Sequence, residues 1–117
     1  MKRILYVDDE EINLMIFEKL FEKYFQIDVS SRPLSALESI KSENYDAIIS
    51  DMKMPVLNGL ELVNEARKIK PHIPYYILSA FSYNSDIQKA LDENVIKGFF
   101  KKPIDLKIIK SEIDSLS

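Results

Sequence analysis

Five polar residues stand at the ends of short apolar runs and could together bind a cation and a phosphoryl group. They are Asp8, Asp9, Asp51, Ser79 and Lys102. If the runs are parallel strands, their carboxyl ends meet at one edge of a sheet, where ligands bind in such folds. Three carboxylates close together repel one another, and one takes up a proton unless a cation lies between them. Mg²⁺ suits such a set because it prefers oxygen ligands and commonly joins one or two carboxylates to a phosphate.

The same residues could carry covalent phosphoryl chemistry. An aspartate can act as a nucleophile and become an aspartyl-phosphate, and the transferring group then needs positive charge and hydrogen-bond donors. Lys102 can supply the charge, and the Ser79 hydroxyl can donate a hydrogen bond. Each residue alone has an ordinary structural interpretation, such as a helix cap for Asp8 and Asp9 or a turn residue for Asp51. Their joint placement at strand ends favours a common site.

Five short apolar runs, each predicted to be a strand, alternate with amphipathic stretches along the chain. The predicted strands are Arg3–Val7, Gln26–Ser30, Asp46–Ser50, Tyr75–Ser79 and Gly98–Lys101. Their nearly continuous apolar character is typical of strands covered on both faces.

The stretches between the strands have the spacing of amphipathic helices. The apolar residues of the first are Ile12, Met15, Ile16 and Leu20. They follow an i, i+3, i+4, i+8 pattern with charged residues on the other faces, which predicts one apolar stripe. The fourth helix, residues 84–93, is only weakly apolar, and the fifth begins near Ile104.

Strands that alternate with helices imply right-handed βαβ units and a parallel sheet. We therefore predict a single α/β domain over residues 1–117, a three-layer sandwich with a flavodoxin-like, doubly wound, five-stranded parallel sheet of order 2-1-3-4-5. This order places the first strand between the second and third, so Asp8, Asp9 and Asp51 become neighbours. Only two glycines are present, and a glycine-rich nucleotide-binding loop is absent.

Composition excludes several classes of partner. The net charge of −3 argues against nucleic acid, which needs a basic surface. No apolar run approaches the ~20 residues of a membrane span, and the N-terminal residues lack the pattern of a signal peptide. With no cysteine in the chain, disulfides are excluded. We expect a cytoplasmic protein that contacts neither nucleic acid nor membrane.

Four sequence blocks resemble the receiver domains of two-component response regulators. They are Val-Asp8-Asp9-Glu, Asp51-Met-Lys-Met-Pro-Val-Leu-Asn-Gly59, Leu-Ser79-Ala and Lys102-Pro103. The resemblance covers essentially the whole chain. It implies that a histidine kinase or histidine phosphotransfer protein phosphorylates Asp51. It also implies that Mg²⁺ is bound directly by Asp9, largely through water by Asp8, and further by Asp51 and the backbone carbonyl of Lys53.

The resemblance further implies a conformational switch. Ser79 matches the switch hydroxyl, Phe99 the switch aromatic residue, and Lys102 the lysine that often precedes a cis prolyl bond. Phosphorylation adds about −1.5 to −2 charge, which would draw Ser79 inward and let Phe99 rotate toward the core. The signal would reach an output protein through the fourth helix, fifth strand and fifth helix, and a weak homodimer is possible. Ser79 stands where threonine is more frequent in similar domains, and Phe99 where tyrosine is common.

Two further side chains could set the lifetime of the phosphoryl group. Lys53 lies two residues after Asp51, and Phe81 lies two after Ser79. Our hypothesis is that Lys53 screens the phosphoryl charge while Phe81 obstructs the attacking water. Alternatively, both side chains point to solvent.

We interpret the chain as a phosphoacceptor that is not an enzyme, except that it assists its own phosphoryl transfer and hydrolysis. One alternative is a small aspartyl-phosphate phosphatase, which usually has a second acid two residues after its nucleophile. Lys53 stands at that position. The other alternative is a receiver-like binding module that is never phosphorylated.

Overall fold

The predicted sheet order is confirmed in the computed structural model, which describes residues 1–80 and 84–116. Five parallel strands lie in the order β2-β1-β3-β4-β5. The strands are β1 Arg3–Val7, β2 Gln26–Ser30, β3 Ala47–Asp51, β4 Tyr75–Ser79 and β5 Gly98–Lys101. The helices are α1 Glu11–Phe21, α2 Pro33–Ser42, α3 Gly59–Ile69, α4 Ser85–Asp92 and α5 Leu106–Asp114. Among the described residues, no helix is long and apolar enough to cross a membrane.

The third strand begins and ends one residue later than predicted. Asp46 precedes β3, and its carboxylate accepts a hydrogen bond from the Arg3 backbone N–H at 2.8 Å. Asp51 instead forms the last residue of the strand and lies opposite Leu78 of β4. The backbone of Asp51 is thus fixed within the sheet.

Helix α1 buries a different face from the predicted stripe. Its buried residues are Leu14, Phe17 and Phe21. The residues of the predicted stripe are instead exposed, from 62% for Ile12 to 37% for Leu20. Large aromatic side chains bury more apolar area, so the face that carries two phenylalanines packs on the sheet. A second apolar face therefore remains on the surface of α1.

Two hydrophobic clusters cover the two faces of the sheet. One includes residues of α2, α3 and α4, and the other includes residues of α1 and α5. A row of aromatic rings runs through the second cluster. Tyr6 of β1 stacks on Phe17 with 4.2 Å between ring centroids, and Phe17 lies 4.6 Å from Phe21. Aromatic rings in such close contact stabilise a core beyond the area they bury.

A capping box starts α3 directly after the loop that follows β3. The Asn58 side chain accepts a hydrogen bond from the Glu61 backbone N–H, and the Glu61 carboxylate accepts one from the Asn58 N–H. Such reciprocal bonds satisfy two of the unpaired N–H groups of the first helical turn. The C-terminal end of the loop is therefore anchored to α3.

Candidate functional site

Three carboxylates converge where β1 and β3 end. Asp8 and Asp9 follow β1, and Asp51 ends the neighbouring strand β3. One oxygen from each of the three lies within 4.8 Å of the others. Asp8 is 0% exposed and Asp51 7% exposed, whereas Asp9 is exposed. The structure thus brings together the acidic residues that the sequence placed at one sheet edge.

Asp8 accepts hydrogen bonds on both of its oxygens. Its Oδ1 accepts from the Glu10 backbone N–H at 3.0 Å. Its Oδ2 accepts from the Tyr6 hydroxyl at 2.7 Å and from Lys102 Nζ at 3.1 Å. A buried carboxylate is costly unless it is paired and hydrogen-bonded. Three donors therefore allow Asp8 to be fully buried.

Lys102 bridges two of the carboxylates. Its Nζ lies 3.1 Å from Asp8 Oδ2 and 3.4 Å from Asp51 Oδ1. Its backbone N–H donates to the Ser79 carbonyl at 2.8 Å, so the residues after β5 are joined to the end of β4. The peptide bond between Lys102 and Pro103 is cis, as the sequence resemblance implied. Lys102 is therefore positioned by its backbone as well as by its charge.

Asp51 and Lys102 both have raised pKa values in the cluster. Burial and the nearby charge of Asp8 raise the pKa of Asp51, although Lys102 opposes this change. Burial by itself lowers the pKa of Lys102, but the hydrogen bond to Asp8 and the charge of Asp51 raise it overall. The cluster therefore has too little positive charge for Asp51, and a divalent cation would supply it.

The loop after Asp51 is tightly held. Asp51 Oδ1 accepts from the Met52 N–H at 2.9 Å, and the Gly59 N–H donates to the Met52 carbonyl at 2.8 Å. A Cβ atom on Gly59 would lie 2.5 Å from the Asp51 carbonyl oxygen, so this position has no room for a side chain. Val56 adopts a φ of 73°, which is rare for a β-branched residue. The backbone around Asp51 is therefore shaped by close contacts.

Ser79 and Phe99 lie where the sequence placed them. Ser79 ends β4 and is 2% exposed. Phe99 lies in β5 opposite Ile77 and is partly buried against the cluster that includes α3 and α4. Their roles as switch residues stay predictions.

The two residues of the lifetime hypothesis differ in what the structure describes. The Lys53 side chain is exposed in the loop two residues after Asp51, and the roles of its backbone carbonyl and of its side chain stay predictions. Phe81 lies outside the described residues.

Sequence reasoning missed Tyr6. Its position in an apolar run suggested only a core residue. However, side chains alternate along a strand, so Tyr6 points to the same side as Asp8, two residues later. A tyrosine two residues before a buried aspartate is therefore a signal that could have been used.

The donor set fits a hard divalent cation such as Mg²⁺. The three clustered ligands are all carboxylate oxygens, and Asp9 is exposed enough to accept a hydrated ion. Mg²⁺ keeps several waters and binds through a few carboxylates rather than through a closed cage. Asp9 and Asp51 could bind it directly, with Asp8 behind them.

Comparison with known proteins agrees with this geometry. The sequence profile of the response regulator receiver domain matches residues 4–114. The probable transcriptional regulator ycf29 of Pyropia yezoensis is 32% identical over 98% of this chain and 52% of its own length. The sensor protein EvgS of Escherichia coli K12 is 25% identical over 97% of this chain but 9% of its own length. The chain thus spans about half or less of the length of these curated relatives.

Solved structures show the same fold. The response regulator protein TrrA from Thermotoga maritima, in complex with Mg²⁺ and BeF, is 31% identical and aligns with a TM-score of 0.84. The alignment covers 100% of both chains. Similarity therefore extends over the whole domain rather than over the acidic residues alone.

Proposed function

The chain belongs to the response regulator receiver domain family of two-component systems, and from this premise we propose that Asp51 accepts a phosphoryl group. Receiver domains of these systems take phosphoryl groups from histidine kinases. The donor here would be a histidine kinase or a histidine phosphotransfer protein. The observation that carries the proposal is the position of Asp51, which lies among two further carboxylates with Lys102 Nζ 3.4 Å from its Oδ1.

The proposed transfer is a displacement at phosphorus. An oxygen of Asp51 attacks the phosphorus of a phosphohistidine, a P–O bond forms, and the P–N bond breaks with its electron pair returning to the imidazole nitrogen. Asp9, Asp51 and the Lys53 carbonyl would hold Mg²⁺, with Asp8 largely through water, and the ion would supply positive charge near the phosphoryl oxygens. Lys102 neutralises a further part of the developing charge.

The proposed switch uses the contacts around Lys102 and Ser79. In the unphosphorylated protein Lys102 Nζ is shared by Asp8 and Asp51. A phosphoryl group on Asp51 would compete for this ammonium and for the Ser79 hydroxyl, and would draw the end of β4 inward. Phe99 could then rotate into the space that opens. The output surface would be α4, β5 and α5, of which α4 buries only two residues, consistent with a small energy difference between two states.

The exposed apolar face of α1 is the proposed contact for the phosphodonor. It consists of Ile12, Met15, Ile16 and Leu20, each at least 37% exposed. The face starts in the first turn of α1, three residues after Asp9. A protein that presents a phosphohistidine to Asp51 must approach this edge of the sheet, so an apolar helix surface of the donor could pack here.

The proposal predicts a specific covalent adduct. Incubation with acetyl phosphate and Mg²⁺ should give a phosphoryl adduct detectable by mass spectrometry, and Asp51→Asn should give none. An adduct that persists in Asp51→Asn would contradict the assignment. So would the absence of an adduct in wild-type protein that demonstrably binds Mg²⁺.

A second assay, which adds phosphomonoesters and measures released phosphate beside the adduct, separates the alternatives. A phosphatase would release phosphate from added phosphomonoesters over many turnovers. The proposed receiver would release only the phosphoryl group that it carries. A binding module that is never phosphorylated would give neither product.

A further inference from the structure

The Tyr6 hydroxyl is a third donor to the acidic site. It donates to Asp8 Oδ2 at 2.7 Å, the shortest of the three hydrogen bonds that Asp8 accepts from the described residues. Tyr6 is 0% exposed, and its ring stacks on Phe17 of α1. Burial and the hydrogen bond to Asp8 raise the pKa of the Tyr6 phenol, so the hydroxyl remains a donor at physiological pH. The phenol thus reaches the site from within the core.

Tyr6 and Lys102 share one acceptor atom. Both donate to Asp8 Oδ2, while Lys102 Nζ also lies 3.4 Å from Asp51 Oδ1. Hydrogen bonds to charged groups are stronger than those between neutral ones. The phenol therefore satisfies part of the charge on Asp8 Oδ2, the oxygen that would otherwise be left to Lys102, while Oδ1 accepts from the Glu10 N–H. This division leaves Lys102 available to Asp51.

We propose that Tyr6 is a positioning residue that holds Asp8 Oδ2 and thereby balances Lys102 between the two buried aspartates. The inference rests on the proposed function, since it concerns the same cation and the same phosphoryl group. Two consequences of opposite sign follow. The phenol weakens the attraction of the site for Mg²⁺, because it withdraws charge from Asp8. It also speeds phosphoryl transfer, because it keeps Lys102 from moving entirely onto Asp8.

The variant Tyr6→Phe removes the hydroxyl and leaves the ring that stacks on Phe17. Tyr76→Phe is a matched control on the same side of the sheet. Tyr76 is also 0% exposed and also donates to a carboxylate, that of Glu112 in α5, at 2.8 Å. Both variants lose a buried phenol that is bonded to a carboxylate, but only one of these carboxylates lies in the site.

The test measures Mg²⁺ binding to the unphosphorylated proteins by isothermal titration calorimetry, together with their melting temperatures. For Tyr6→Phe we expect the dissociation constant for Mg²⁺ to fall by about threefold to tenfold, as one of three donors to Asp8 is lost. We expect no change for Tyr76→Phe. At saturating Mg²⁺, the rate of phosphorylation by acetyl phosphate should fall by about threefold or more in Tyr6→Phe alone. General loosening of the site would weaken Mg²⁺ binding and slow phosphorylation together. Tighter Mg²⁺ binding with slower phosphorylation would therefore have a different cause.

Several results would overturn the inference. An unchanged or larger dissociation constant in Tyr6→Phe would show that the phenol does not withdraw charge from Asp8. Equal changes in Mg²⁺ binding and phosphorylation rate in Tyr6→Phe and Tyr76→Phe would mean that both result from lost stability. These outcomes leave the proposed function intact if the wild-type protein binds Mg²⁺ and is phosphorylated. Failure of the wild-type protein to bind Mg²⁺ would instead overturn both.

Discussion

At the scale of single residues, Asp51 is a destabilising charge in the unphosphorylated protein. It lies largely buried beside Asp8, and burial is the main cause of its raised pKa. A carboxyl group whose pKa is higher in the folded than in the unfolded protein favours folding at low pH, and this contribution is lost as the pH rises through the folded pKa. The residue that would accept the phosphoryl group therefore lowers stability at neutral pH.

Asp51→Asn should consequently stabilise the protein at neutral pH. In the absence of Mg²⁺ we expect its melting temperature to exceed that of wild type by a few degrees. The difference should shrink as the pH falls through the raised pKa of Asp51 toward the ordinary value of 3.8, because the wild-type carboxyl then becomes neutral. Thermal unfolding followed by circular dichroism at several pH values measures this difference in melting temperature. A difference that grows toward acidic pH would contradict the sign of the pKa change.

Gly59 should not tolerate a side chain. Gly59→Ala places a Cβ atom 2.5 Å from the Asp51 carbonyl oxygen, so the backbone around Asp51 must shift. We expect a loss of about 1–3 kcal/mol in the free energy of unfolding and slower phosphorylation by acetyl phosphate. Urea denaturation and mass spectrometry give the two quantities.

Gly98→Ala is the control for Gly59→Ala. Among the described residues, a Cβ on Gly98 would meet the Tyr76 ring alone, at 3.0 Å. It should reduce stability without slowing phosphorylation. Equal phosphorylation rates in wild type and Gly59→Ala would show that Asp51 tolerates the displacement.

The polar residues at the strand ends were predicted from sequence, whereas the contact of Tyr6 with the site was missed. Charged residues at the ends of apolar runs stand out because the carboxyl ends of parallel strands meet at one edge of the sheet. Tyr6 lies within a run, where aromatic residues ordinarily pack in the core. The hydrogen bond of 2.7 Å to Asp8 Oδ2 shows that Tyr6 contacts the acidic site in addition to packing in the core.

At the scale of the elements, helix α1 shows what periodicity does not determine. The set containing Ile12 and Ile16 and the set containing Phe17 and Phe21 both have helical spacing. Spacing predicts that a helix forms, but two apolar sets leave its orientation undetermined. The structure buries the aromatic set. The predicted β3 began and ended one residue too early. Asp46 and Asp51 are both polar residues beside the same apolar run, so composition does not show which of them belongs to the strand.

Polar substitution on the exposed face of α1 should separate the two kinds of phosphodonor. Ile12→Ser combined with Ile16→Ser should slow transfer from a protein donor that phosphorylates the wild type by about thirtyfold, since two exposed apolar contacts of roughly 1 kcal/mol each are lost. Phosphorylation by acetyl phosphate should not change, because a small molecule makes no contact with this face. Radiolabel transfer measures both.

Leu34→Ser provides the control for this pair. Leu34 is 60% exposed on α2, and its replacement should leave both rates unchanged. If phosphorylation by acetyl phosphate were slowed equally, the α1 substitutions would be acting on the reactivity of Asp51 and not on the contact with the donor. No slowing with any protein donor would exclude this face as the contact.

At the scale of the whole molecule, the topology follows from rules that need little sequence detail. Right-handed crossovers and a doubly wound sheet fix which strand ends become neighbours. The order β2-β1-β3-β4-β5 was therefore predictable even though the boundaries of β3 and the buried face of α1 were not. Acidic residues separated by more than forty positions meet because of this order.

Binding of Mg²⁺ should stabilise the entire domain. A ligand that binds only the folded state raises the free energy of unfolding by mass action, by about 2.7 kcal/mol at a hundred times its dissociation constant. We expect saturating Mg²⁺ to raise the melting temperature of wild type. Asp9→Asn should abolish most of this increase, whereas Glu65→Gln, on α3 with its side chain 46% exposed, should retain it. An equal increase in all three proteins would indicate nonspecific screening.

The hydrogen bond from the Gly59 N–H to the Met52 carbonyl has a consequence for kinetics. It closes the backbone between β3 and α3 into a ring, with the capping box at one end and Asp51 at the other. The amide hydrogen of Gly59 can exchange with solvent only when this ring opens. The hydrogen-exchange rate of this amide therefore reports how often the backbone beside Asp51 opens. It can be measured on the unphosphorylated protein.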